Sequence, residues 1–225
     1  MGGRAALAFE EVVMAAVFHV GSSLAAGGGW TRSVGLVRTG GVAAVLAGVV
    51  MGVHEWWDDR VPGIQEGALP SALHSTWVGL MFVGFLGMSA LQWHGFGRFG
   101  RLASGLAVVG SGSLFVLALN ETWGFLRSGE APHGDPPVPV LVLIFAVFGC
   151  YIAGLLLFSW ATIRAGVLPR AAGVFLLASV LLKLFASGVL PGTLALMGAA
   201  LATMGLSALR AVRPLGTDQV EPSGS

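Results

Sequence analysis

Gly48-Val49-Val50-Met51-Gly52-Val53-His54-Glu55-Trp56-Trp57-Asp58-Asp59-Arg60 is the stretch whose reading decides the fold. Its first six residues close an apolar run that begins near Leu36. At 1.5 Å per residue, roughly 20 such residues cross the ~30 Å hydrocarbon layer of a bilayer. The tryptophans and charges that follow mark the point where the run meets water, because amphipathic rings and charged groups gather at membrane interfaces. After the connection Val61-Pro62-Gly63, His74 opens the next apolar run, with Trp77 one turn on. Imidazoles, carboxylates and tryptophans therefore converge where two spans emerge on one side, the only concentrated chemistry in the sequence.

Composition agrees with this reading. Of 225 residues, 55% are hydrophobic and 10% charged, and the mean hydropathy is +0.83. Soluble domains carry about a quarter charged residues, so the expected solvent is the lipid bilayer. Net charge is +1, with basic residues scattered rather than gathered on a face, which excludes a nucleic-acid partner. The single cysteine, Cys150, lies in an apolar run. No intramolecular disulfide and no Cys-x-x-Cys pair can form.

Seven apolar stretches are candidate spans, near 5–28, 36–55, 72–93, 102–123, 138–162, 171–188 and 193–212. The first is interrupted by Glu10 and Glu11, and two acids where a basic region belongs argue against a cleaved signal peptide. It reads either as a span or as an extension. The expected architecture is all-α, a polytopic transmembrane helix bundle of six core spans plus an N-terminal helix. Residues 1–35 would form that first helix, 36–213 the bundle, and 214–225 a disordered tail.

Charge sets the expected orientation. Arg32 and Arg38, Arg98 and Arg101, Arg164 and Arg170, and Arg210 and Arg213 occupy alternate connections, which the positive-inside rule places in the cytoplasm. Glu55, Asp58, Asp59, Glu66, Glu121, Glu130 and Asp135 then lie outside. The protein would sit in the cell membrane as a multi-pass protein with its C-terminus in the cytoplasm. Pro169 and Pro191 fall at first turns of helices, where the missing N–H costs nothing. Gly48 and Gly52 make a small-xxx-small pair suited to close helix packing in lipid.

The motif Arg164-Ala165-Gly166-Val167-Leu168-Pro169-Arg170, followed by Leu190-Pro191-Gly192-Thr193, resembles small bacterial multi-pass proteins of the DUF4386-like group found in actinobacteria. So does Arg38-Thr39-Gly40-Gly41 at a helix start, with His54 at that helix's far end and His74 opening the next. The resemblance covers residues 36–212 and implies a six-helix core and no particular activity.

Lys183 is the most telling polar residue, since a charge within a span costs a few kcal/mol. Its helix rises to the outer face near Gly188, which puts Lys183 roughly 7–8 Å below the boundary. Ser179 and Ser187 extend it into a polar stripe. Either the stripe faces the bundle or the lysine snorkels to headgroups. Asn120 and Glu121 end another span at the same level, and Glu121 is a natural countercharge. These residues predict a shared external pocket lined by His54, Glu55, His74, Asn120, Glu121 and Lys183.

Several functions could use such a pocket. The reading adopted is a membrane bundle serving structure, sensing or partner binding. Transport of a small solute or protons through Lys183 and an acidic partner is the first alternative, although no span is broken near its midplane. Metal or haem held by His54 and His74 is the second, without a His-x-x-His or His-Glu-x-x-His spacing to support it. An enzyme is disfavoured, since neither a Gly-x-Ser-x-Gly elbow nor a phosphate loop is present.

Overall fold

A computed structural model describes residues 30–60, 68–93, 95–128, 138–185 and 192–212. The stretch 5–28, the tail 214–225, and His94, Ser187 and Pro191 lie outside the described residues. Six α-helices make up the described residues: α1 (Trp30–Arg60), α2 (Ala68–Gln92), α3 (Arg98–Ser128), α4 (Val138–Ala165), α5 (Arg170–Phe185) and α6 (Thr193–Ala211). All but α5 are long and apolar enough to cross a membrane. The described part of α5 has 16 residues.

Each helix packs on the next in sequence, and α6 closes the ring against α1 while also touching α2. The ring has an arginine end, with Arg98, Arg164 and Arg170 at helix termini, and a histidine end, with His54 and His74. Its outside is apolar: Val142, Phe145, Leu126 and Trp123 are all more than 60% exposed. An apolar coat of this extent fits lipid rather than water, because soluble monomers seldom expose contiguous apolar patches beyond a few hundred Å².

Glycine sets the register of the first helix against both neighbours. A Cβ on Gly87 would come within 2.6 Å of the Gly40 Cα, and one on Gly84 within 3.0 Å of the Ala44 Cβ. On the other side, a Cβ on Gly198 would meet the Gly48 carbonyl at 2.5 Å, and one on Gly205 the Gly41 carbonyl at 2.5 Å. Residues seven apart on α1 thus oppose residues seven apart on α6, running antiparallel. Gly52 has nothing within 4 Å, so the expected Gly48/Gly52 pair is corrected. The working partner of Gly48 on its own helix is Gly41, two turns earlier.

Local chemistry places the helix ends. Gly166 has φ 66 and donates its N–H to the Thr162 carbonyl at 3.1 Å, the left-handed stop typical of a helix C-terminus. The Pro169 carbonyl then accepts the Ala172 N–H at 3.0 Å and begins α5. At the same end the Arg101 guanidinium lies 5.8 Å from the Trp93 ring centroid, within cation–π reach. Buried Gln92 donates to Thr162 at 3.3 Å and ties α2 to α4.

Candidate functional site

All six helices contribute to one cavity of about 280 Å³ at the histidine end. His54 comes from α1, His74 and Trp77 from α2, Leu114 from α3, Tyr151 and Leu155 from α4, Ser179 and Lys183 from α5, and Thr193 and Met197 from α6. Its wall is overwhelmingly apolar, with a few polar groups set into it. That is the composition of small-molecule sites in general.

The two histidines meet because of the glycine register. Gly40 lies against Gly87 and Gly84 against Ala44. Ten residues further along α1 and ten back along α2 bring His54 beside His74. Their ring centroids are 6.3 Å apart at 67°. His74 also stands edge-on to Trp77 at 4.9 Å. Nineteen residues separate the two histidines. Most of them are helix, since α1 continues to Arg60 and α2 begins at Ala68, and two facing helices hold the rings more firmly than a loop would.

Glu55 turns elsewhere. Its Oε1 accepts the N–H groups of Gly192 and Leu194 at 3.1 Å each, and its Oε2 accepts that of Ala195 at 2.6 Å. Gly192, which precedes α6 with φ 93, has no side chain to cap the helix. The carboxylate of a distant helix does so instead, satisfying donors that a helix start leaves open and complementing the positive end of the helix dipole. Glu55 is seven residues beyond Gly48, so it lies on the α6 face of α1. It is not among the residues that line the cavity.

Asn120 and Glu121 are exposed on α3 and do not line the cavity. Their neighbour Thr122 is turned inward: its hydroxyl is 2.7 Å from that of Ser75 and donates to the Ser71 carbonyl at 2.9 Å, pinning α3 to α2. On a helix one face is packed, and Asn120 and Glu121 fall on the other. Among the described residues no acid pairs with Lys183, so the expected Glu121 countercharge is absent there. Ser179 is buried and bonds back to the Leu176 carbonyl at 2.8 Å, one turn from Lys183 on the cavity side.

Trp77 and Tyr151 are among the lining residues that the sequence does not single out for the pocket. Trp77 is 5% exposed, and its indole Nε1 finds no hydrogen-bond acceptor among the described residues. Its place three residues after His74 puts both on one helix face. Tyr151 directs its hydroxyl to the Met81 sulfur at 3.5 Å. Nothing in its apolar surroundings in sequence distinguishes it from a packing aromatic.

Towards the arginine end the bundle is filled. Phe85 and Phe158 are fully buried and stand edge to face at 5.1 Å, with Phe96 6.3 Å from Phe158. No group of three or more His, Cys, Asp or Glu suited to a metal occurs among the described residues. Compared with protein-family models, curated proteins and solved structures, the chain matches none, and the site is read from its own geometry.

Proposed function

We propose that this chain is a multi-pass protein of the cell membrane whose central cavity binds a small, largely apolar ligand, in a sensing or carrier-like role. The arginine end faces the cytoplasm in this reading, and the cavity lies in the outer half of the bilayer. The observation that carries it is that six separate helices each lend side chains to one partly open apolar space with His54, His74 and Lys183 in its wall. Binding is favoured over passage because the Phe85–Phe158 contact occupies the way toward the arginine end.

Trp77 supplies a reporter. In detergent, a terminally brominated undecanol should quench tryptophan fluorescence saturably, and the saturable part should vanish in Trp77→Phe. It should also vanish in a variant filled by Leu155→Phe and Met197→Phe that keeps its melting temperature. Quenching that rises linearly and equally in all three proteins would mean partitioning into detergent alone, and the binding reading would be wrong.

A further inference from the structure

We infer that the ligand is a single-chain amphiphile with an anionic carboxylate headgroup, drawn from the surrounding lipid, its charge on Lys183 and its chain in the cavity. This rests on the binding role proposed above and adds the chemical class.

Charge comes first. Lys183 is the chain's only lysine, set between Leu182 and Leu184 on a helix where an ammonium in hydrocarbon is unfavourable without a partner. Of the acids whose side chains the structure describes, Glu55 is engaged with the start of α6 and Glu121 lies outside the cavity. His54 and His74 stand in the same wall, and no lining residue is an acid. A site with a cation, two imidazoles and an indole N–H without an acceptor among the described residues is complementary to an anion.

Shape and access come second. A volume of about 280 Å³ equals about nine water volumes at ~30 Å³ each, space for one short acyl chain or the end of a longer one. Two chains of a phospholipid would not fit. The cavity also reaches the flank of the bundle between α4 and α5. Phe148 and Leu184, one from each helix, both line it and are each 43% exposed. The two helices pack tightly toward the arginine end, where a Cβ on Gly173 would meet the Ile163 Cγ1 at 2.8 Å. Beyond Phe148 no residue of α4 back to Val138 is buried. The helices therefore part on the lipid side, so a molecule already in the membrane reaches the cavity sideways while Lys183 holds its head at the rim.

The test compares terminally brominated undecanoate with the matching undecanol, by the Trp77 quenching described above, at a pH where the acid is ionised. Wild-type protein should bind the carboxylate at least about tenfold more tightly than the alcohol, as a charge-assisted contact implies. That preference, the ratio of the two affinities within each protein, should be lost in Lys183→Met and kept in Lys183→Arg. Equal affinities in the wild type, or a preference that survives Lys183→Met, would overturn the anionic assignment while saturable alcohol binding upheld the cavity. If neither probe bound saturably, both readings would fall. Acetate in excess should not compete, since the chain is needed for binding; displacement by acetate would show a site for free anions and overturn the amphiphile.

Discussion

The carboxylate of Glu55 stands at the start of α6 where Gly192 has no side chain to offer. Helix caps contribute about 0.5–2 kcal/mol, and this one also fastens α1 to α6. Glu55→Ala should therefore lower stability by about 1–2 kcal/mol, read as a lower melting temperature by circular dichroism in detergent. Glu55→Gln should lose less, because an amide oxygen still accepts while its charge is gone. An unchanged melting temperature in Glu55→Ala would remove the cap from the account. His54, the preceding residue, lies about 100° away round the helix and lines the cavity instead. Adjacent polar residues thus do unrelated work, one structural and one at the site.

Among elements, α1 matters most, because it packs against both α2 and α6 through backbone-close contacts. Lipid offers no hydrophobic drive between helices, so close approach at small residues supplies the attraction. Gly48→Ala places a methyl group against the Gly198 carbonyl, and should cost about 1–3 kcal/mol as overpacking does. It should also shift Glu55 away from α6. Gly52→Ala is the control, with nothing within 4 Å of its Cβ; it should be neutral or stabilising by about 0.5–1 kcal/mol, the helix preference of Ala over Gly. Equal losses in both variants, measured by thermal unfolding, would show that the glycine register is not what holds α1. The heptad Gly41, Gly48, Glu55 was present in the sequence as a signal. It gained meaning only beside Gly198 and Gly205, some 150 residues away in the chain and opposite in space.

On the scale of the whole molecule, a ring of six described helices surrounds the cavity, and the proposed orientation turns its histidine end outward. Single cysteines in a Cys150→Ser background should settle the orientation. A cysteine at Gly97 or Val167 should react with an impermeant maleimide only once the membrane is opened, and one at Asn120 should react in intact cells. The reverse pattern would place the cavity in the cytoplasmic leaflet and invert the proposed route of access.

By itself the sequence determined the all-helical class, the rough limits of the described helices, and the end of the bundle at which His54, His74 and Lys183 gather. Run length and hydropathy suffice for these, because each helix satisfies its own backbone hydrogen bonds in lipid. It also singled out His54, His74 and Lys183, since an imidazole or ammonium among leucines is conspicuous at any rotation. Only the tertiary structure decided which groups at that end share a cavity. Asn120 and Glu121 face away, Glu55 caps a helix, and Trp77 and Tyr151 join the wall. The reason is rotational: membership depends on which face of each helix turns inward, and here that is fixed by glycine contacts between segments far apart in the chain.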